Sequence, residues 1–191
     1  MEIWVVNGSH SALAYICQFS GIEYVAAGMV DPSIAQFIER LQEVESGKSI
    51  VAPIDRDAIF YGRSFHKRAS NAVLLHKSIQ IAMDGSQKLP QRTFAPANDL
   101  VKLEMPTKAI ALVIAAWIGF LEVSQIVDDP LAVPLQRYVR NCDCLASASG
   151  VLTLKALATK VDSNWFLQIA KWLEVLWAKP VVEDIRSCWT L

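Results

Sequence analysis

Residues 109–127, Ala-Ile-Ala-Leu-Val-Ile-Ala-Ala-Trp-Ile-Gly-Phe-Leu-Glu-Val-Ser-Gln-Ile-Val, form the most apolar stretch of this 191-residue chain. The stretch is about as long as the ~20 residues that cross a bilayer. It nevertheless contains Glu122, Ser124 and Gln125 in its last third, and charged residues flank it on both sides. We therefore expect a buried helix in a folded core and no membrane span, with a spanning helix as the less favoured alternative.

The composition of the whole chain supports a large core. Hydrophobic residues make up 53% of the sequence and charged residues 19%, which excludes intrinsic disorder. With a net charge of -1, the chain lacks the positive electrostatic field that a general nucleic-acid binder needs. The N-terminus has no basic, apolar signal-peptide pattern, so we expect a cytoplasmic protein with reduced cysteines. Cys142 and Cys144 are too closely spaced for the usual zinc site, and we expect no metal.

The first half of the chain alternates segments typical of strands with segments typical of helices. Short β-branched or aromatic runs predict strands, and apolar residues at helical spacing predict helices. Asp31-Pro32 is a strong helix start, because it combines an N-cap acceptor with a proline in the first turn. Glycine at position 21 is expected to end the first helix. The predicted order is strand Glu2–Val6, helix Ser11–Ser20, strand Ile22–Ala27, helix from Asp31, strands Ser49–Ala52 and Ala58–Tyr61, and helix Ser64–Ala82.

The second half has a helical period. Residues 84–100 carry glycine, two prolines and many polar residues, and they predict a linker. Helices are expected at about 107–127, 131–146, 153–161 and 163–178, with a last one after Pro180. The predicted fold class is thus α/β plus all-α: an α/β unit over residues 1–83, a linker over 84–100 and an all-helical unit over 101–191.

This layout resembles the glutathione transferase fold, in which a thioredoxin-like βαβαββα half precedes a helical half. Asn7-Gly8-Ser9-His10-Ser11 resembles the loop that carries that family's catalytic Ser, Tyr or Cys. Ala52-Pro53-Ile54 resembles its cis-proline step, and Leu152-Thr153-Leu154 resembles the start of a core helix. The resemblance covers nearly the whole chain.

Two departures from the family's pattern imply an eroded ligand site. Arg63 precedes Ser64 where the family usually has Glu or Gln, and a guanidinium has no acceptor for the ligand's ammonium group. The helix after Thr153 has Lys155 and Ala156 where an aspartate usually closes a capping box.

Residues 116–122, Ala-Trp-Ile-Gly-Phe-Leu-Glu, carry a second resemblance. They are similar to a helix in the glutathione-transferase-like domains of aminoacyl-tRNA synthetase complexes and elongation factor 1 gamma. That resemblance implies a non-catalytic scaffold domain of a translation-related assembly, with no cofactor. Its partner, or a second copy in a homodimer, would dock on helical faces that include Trp117, Phe120 and Trp177.

The rival hypothesis is a glutathione transferase that conjugates glutathione to small electrophiles. The resemblance then implies that Ser9, His10 or Ser11 stabilises the thiolate, and that Pro53 and Ser64 bind glutathione as the cofactor. The alternative for these serines is an ordinary helix cap.

A local group of basic residues, including Arg63, Lys67 and Arg68, opens one further possibility. The group could touch RNA or an acidic partner. A charged cluster at a helix start is more often a solvated face, so RNA contact is the less favoured interpretation.

Overall fold

The computed structural model describes residues 2–49, 58–71, 73, 75–157 and 163–178. Within these ranges the chain is helical, and the β-structure consists of one isolated antiparallel bridge between Tyr24 and Lys77. The helices are α1 (Gly8–Phe19), α2 (Val25–Val30), α3 (Pro32–Arg40), α4 (Ala58–Ala69), α5 (Ser78–Ala82), α6 (Gly85–Leu89), α7 (Ala95–Lys102), α8 (Lys108–Val123), α9 (Ala132–Val139), α10 (Cys144–Leu152) and α11 (Ser163–Ala178). Turns of π-helix occupy Glu2–Asn7, Leu41–Ser46 and Pro90–Phe94, and Lys155–Leu157 is a 3-10 turn.

The long apolar helix α8 is the centre of the fold. Every residue from Ala109 to Leu121 is buried, because α1, α9, α10 and α11 pack around it. A helix that is apolar on all sides is stable in water only when it is enclosed in this way. The helix expected at about 107–127 is confirmed, with its end at Val123. Among the described residues, no helix has both the length and the apolarity to cross a membrane. The expected cytoplasmic location stays a prediction.

The expected thioredoxin-like half is wrong, beginning with its first strand. Residues Glu2–Asn7 form a π-helical turn that runs directly into α1. Val5 and Val6 are buried against neighbouring helices. A short apolar run cannot be told from a buried helical segment by periodicity alone, and here helix packing decides the outcome.

The other predicted strands are corrected in the same way. Of the strand expected over Ile22–Ala27, residues 25–27 belong to α2, and residues 58–61, expected as a strand, form the start of α4. Of the strand expected over Ser49–Ala52, residues 50–52 lie outside the described residues. The order βαβαββα is therefore not the fold of this chain.

Two local signals are confirmed. The Asp31 carboxylate caps α3, because its Oδ1 accepts from the backbone N–H of Ser33 at 2.8 Å and of Ile34 at 3.2 Å. Gly21 follows the end of α1 with a φ of 70°, a left-handed conformation that glycine adopts without steric cost.

The segment expected as a linker, 84–100, consists of α6, the turn Pro90–Phe94 and most of α7. Leu89, Phe94, Ala97 and Leu100 from this segment are buried in the same apolar cluster as α1 and α8. The division of the chain into 1–83 and 101–191 stays a prediction. The single helix expected over Ser64–Ala82 is two helices, α4 and α5, and the one expected at 131–146 is α9 and the start of α10.

Polar contacts join the start of α8 to distant segments. Both carboxylate oxygens of Glu45 accept backbone N–H groups, those of Ala109 and Ile110, at 2.8 Å each. The carboxylate thereby satisfies donors that a helix N-terminus otherwise leaves free. From α11, the indole N–H of Trp172 donates to the carbonyl oxygen of Lys108 at 3.1 Å. These bonds fix α8 relative to the turn Leu41–Ser46 and to α11.

Candidate functional site

His10 lies in the first turn of α1, where four separate segments of the chain meet. Its ring packs edge-on against Phe65 of α4, with the ring centroids 4.7 Å apart. Arg68 of α4, Arg92 of the turn Pro90–Phe94, and His76 all lie near enough to influence the charge of the imidazole. His10 is half-buried, so part of the residue remains accessible to solvent.

The surroundings of His10 keep its imidazole neutral. Burial, and after it the charges of Arg68, Arg92 and His76, together lower the pKa of His10 from 6.5 to about 4. Protonation would place a positive charge on the imidazole close to two guanidinium groups, and this repulsion helps to lower the pKa below its ordinary value of 6.5. At neutral pH His10 is therefore a neutral donor and acceptor inside a positive field.

The backbone before His10 is held by a buried hydrogen-bond chain. The Ser9 hydroxyl donates to the carbonyl oxygen of Val5 and accepts from the side-chain amide of Gln42 at 2.8 Å. Ser9 and Gln42 are both buried. Their bonds fix the junction between the π-helical turn and α1, which sets the direction in which His10 points.

Arg92 approaches the same junction from the other side. Its Nη1 donates to the Ser11 hydroxyl at 3.2 Å. A Cβ on Gly8 would lie 3.0 Å from the carbonyl oxygen of Arg92, so the two backbones pack at a distance that favours glycine. Thr93 and Phe94 are buried and anchor the turn that carries Arg92.

Of the three residues predicted to be catalytic, His10 and Ser11 lie near arginines that the sequence analysis did not connect with them. Ser9 is bonded within the chain, and His10 and Ser11 face Arg68 or Arg92. Neither serine caps α1, since Asn7 is its N-cap residue and no side chain makes the cap bond. The catalytic role of these residues stays a prediction.

Of the two residues predicted to bind glutathione, the structure describes Ser64. Ser64 lies within α4, where its carbonyl oxygen accepts from the Nε of Arg68 at 3.4 Å. Pro53 lies outside the described residues.

The residues predicted for docking differ in exposure. Trp117 and Phe120 are buried within the chain's own core, at 1% and 3% exposure, so they cannot present a docking face. Trp177 is half-buried, and its contact with a partner or a second copy stays a prediction. RNA contact through Arg63, Lys67 and Arg68 also stays a prediction.

Sequence reasoning missed Arg92, Phe65 and His76 as neighbours of His10. A usable signal existed for the segment of Arg92, because Phe94, Ala97 and Leu100 follow it at the three-residue spacing of a helix face. That spacing predicts a buried helix, whereas the glycine and prolines of the segment predict a linker, and the structure shows that the helix signal is the correct one. Among the described residues, no group of three His, Cys, Asp or Glu side chains could hold a metal ion.

Comparisons with known proteins identify the family. A family model for the mannitol dehydrogenase C-terminal domain matches residues 1–165. D-mannonate oxidoreductase of Escherichia coli K12 is 33% identical over 143 residues, which are 72% of this chain and 29% of that protein. Mannitol 2-dehydrogenase of Aspergillus oryzae is 26% identical over 183 residues, 91% of this chain and 36% of that protein. The chain thus spans about a third of the length of these curated relatives.

A solved structure has the same fold. Mannitol 2-dehydrogenase of Pseudomonas fluorescens, in a ternary complex with NAD and D-mannitol, superposes with a TM-score of 0.91 at 24% identity. The match covers 100% of this chain and 40% of the solved one.

These findings overturn the resemblance to glutathione transferases. The predicted scaffold role in a translation-related complex is wrong, and so is the rival glutathione transferase activity. Glutathione as a cofactor has no support from these relatives. The motifs that resembled glutathione transferases are short, and their order along the chain is compatible with helices as well as with strands. The chain belongs to the mannitol dehydrogenase C-terminal domain family.

Proposed function

We propose that this chain forms the substrate-binding part of a nicotinamide-dependent oxidoreductase acting on polyols or sugar acids. The observation that carries the proposal is His10, a neutral imidazole held in the positive field of two guanidinium groups. The names of the relatives, which include mannonate and mannitol oxidoreductases, support the substrate class.

The arrangement around His10 suits the oxidation of an alcohol. A neutral imidazole can accept a hydrogen bond from a substrate hydroxyl and so orient it. As the hydroxyl releases its proton to water, negative charge develops on its oxygen, and Arg68 and Arg92 stabilise that charge by electrostatic attraction. The same field that disfavours a second cation at His10 thus favours an alkoxide beside it.

The nicotinamide, when bound, supplies the acceptor for the hydride that leaves the alcohol carbon. The His10 site fits the substrate side of this chemistry. The sequence contains no Gly-x-Gly-x-x-Gly fingerprint for a dinucleotide pyrophosphate. We therefore assign no residue of this chain to hold the dinucleotide, and we infer that this task falls to a different domain.

Ligand binding followed at His10 tests the proposal. We expect D-mannonate or D-mannitol to shift the His10 imidazole resonances in NMR spectra of the 191-residue chain. We expect His10→Gln to weaken binding in calorimetry by about tenfold, the loss expected for one hydrogen bond to a ligand. His66→Gln is the matched control, because His66 lies outside the site. Absence of any shift at His10 with both compounds would refute the proposal.

A further inference from the structure

Gln42 is a buried residue of the π-helical turn Leu41–Ser46, and its side chain lies between the two helices that meet at His10. On one side its Nε2 donates to the Ser9 hydroxyl of α1 at 2.8 Å. On the other side its amide lies against Gly62 of α4, where a Cβ would come within 2.8 Å of the amide oxygen. The side chain therefore fills the space between α1 and α4, and the contact requires glycine at position 62.

The turn that carries Gln42 is itself fixed to the centre of the fold. The buried carboxylate of Glu45, in the same turn, accepts two backbone N–H groups at the start of α8 at 2.8 Å each. Helix α4 packs on this turn and on the turn Glu2–Asn7. Because the backbone of the turn is held by α8, the Gln42 side chain cannot move away from a neighbour that presses on it without breaking its bond to Ser9.

Both helices that Gln42 separates carry part of the His10 site. His10 follows Ser9 directly in α1, and the buried Phe65 lies three positions after Gly62 in α4. Positions three apart share one face of a helix, so α4 touches Gln42 and His10 with the same face. The rings of His10 and Phe65 pack edge-on with their centroids 4.7 Å apart, a geometry that depends on the spacing of the two helices.

We propose that Gln42 is a positioning residue for His10. Its side chain sets the spacing between Ser9 and Gly62, and this spacing holds the imidazole against Phe65. The consequence for substrate binding rests on the proposed function, because a hydrogen bond from a substrate hydroxyl needs an imidazole that points in a fixed direction. The competing explanation is that the contact with Phe65 orients the imidazole by itself.

NMR spectra of the 191-residue chain report the ring contact without any ligand. In the wild-type chain we expect nuclear Overhauser contacts between the ring protons of His10 and Phe65. Gln42→Ala removes the donor to Ser9, and Gly62→Ala pushes the same amide away from Ser9 with an added methyl group. Both variants should lose or weaken the ring contacts and shift the imidazole resonances of His10.

Double variants identify the route by which Gln42 acts. Once the Gln42 amide is removed, the methyl group of Gly62→Ala meets no amide oxygen, so the double variant should resemble Gln42→Ala alone. Gln42→Ala should likewise add nothing to the effect of Ser9→Ala, because both substitutions break the same hydrogen bond. Additive effects in both pairs would show that these residues act on His10 separately, and they would overturn the inference.

Calorimetry with D-mannitol and D-mannonate measures the consequence for binding. Gln42→Ala and Gly62→Ala should each weaken binding by about threefold to tenfold, the loss expected for one misaligned hydrogen bond. Gly119→Ala is the control for a clash, because its Cβ would press on Phe19 at the far end of α1. Gln136→Ala is the control for a lost glutamine, because Gln136 donates to carbonyl oxygens at the end of α8. Neither control should change the ring contact or the affinity.

Ring contacts that persist unchanged in Gln42→Ala and Gly62→Ala would overturn the inference. An equal loss in Gly119→Ala would also overturn it, since general destabilisation would then explain the effect. If Gln42→Ala does not fold, as judged by circular dichroism, Gly62→Ala decides the question, because it keeps the amide and adds a better helix former. Failure of the proposed function looks different: neither compound would shift the His10 resonances of the wild-type chain, whereas the ring contact would still depend on Gln42.

Discussion

Two buried titratable groups should change the stability of this chain with pH in opposite directions. Burial lowers the pKa of His10 from 6.5 to about 4, with help from Arg68 and Arg92. Burial raises the pKa of Glu45 from 4.5 to about 7, although Ala109, Ile110 and Arg40 act against the rise. The perturbation that separates the two effects is a pair of neutral substitutions, His10→Gln and Glu45→Gln.

The sign of each effect follows from which state binds more protons. Between pH 6.5 and about 4 the unfolded chain protonates His10 and the folded chain does not, so stability is full above pH 6.5 and is lost as pH falls. Between pH 4.5 and about 7 the folded chain keeps Glu45 protonated and the unfolded chain does not, so stability is full below pH 4.5 and is lost as pH rises.

The size of each effect is about 3 kcal/mol, because each shift is about 2.5 units at about 1.4 kcal/mol per unit. In the wild-type chain the two contributions nearly cancel where their windows overlap. His10→Gln should therefore reveal a free energy of unfolding that falls by about 3 kcal/mol as pH rises through the Glu45 window. Glu45→Gln should reveal a rise of about the same size through the His10 window. The double variant should be nearly as flat as the wild type.

Urea denaturation followed by tryptophan fluorescence, at a series of pH values from about 4 to about 7, measures these free energies. The readout is the slope of the free energy of unfolding against pH, compared between variants. The comparison removes the contributions of the other titratable groups, because all variants share them. Glu45→Gln also loses one of two accepted hydrogen bonds, but that loss shifts the whole curve without tilting it. Single variants whose pH slopes match the wild type would refute the assignment of both shifts.

Two further predictions concern packing near the site and the core. Gln42→Ala removes the side-chain amide that donates a buried hydrogen bond to the Ser9 hydroxyl at 2.8 Å. The variant should therefore have a free energy of unfolding about 1–3 kcal/mol lower in urea denaturation. Gln42→Glu, which cannot donate when ionised, should not rescue the loss, and full stability in either variant would contradict the structure. Gly119→Ala places a Cβ 2.6 Å from the Phe19 ring and should cost about 1–3 kcal/mol in thermal or urea unfolding. Phe19→Leu should recover part of that cost in the double variant, and simple additivity of the two losses would count against a direct clash.

The predicted helices that match the structure are those whose signals are local. Asp31 followed by Pro32 marks the start of α3, and Gly21 marks the end of α1, because capping depends on residues within one turn. The helix α8 was predictable because its apolar run is too long for a strand and is interrupted by polar residues. His10 lies in the first turn of α1, and the catalytic role predicted for it stays a prediction.

The errors arose where short apolar segments had no local cap. Val5 and Val25 have side chains typical of strands, yet both lie in helical turns, since packing against neighbouring helices outweighs a β-propensity that spans only about 1 kcal/mol. The glycine and prolines of the segment around Arg92 predict a linker. Its apolar residues are buried by contacts with α1 and α8 that no sequence window contains.

The sequence by itself determined that the chain has a large apolar core, a long central helix and a histidine at the start of its first long helix. These features depend on composition and on spacing within a few turns. Only the tertiary structure decided that the described residues of the first half are helical, that Phe65 packs against His10, and that Arg68 and Arg92 lie near enough to influence its charge. The physical reason is that burial and electrostatic fields arise between residues 55 or more positions apart in the sequence, which the chain brings together only on folding.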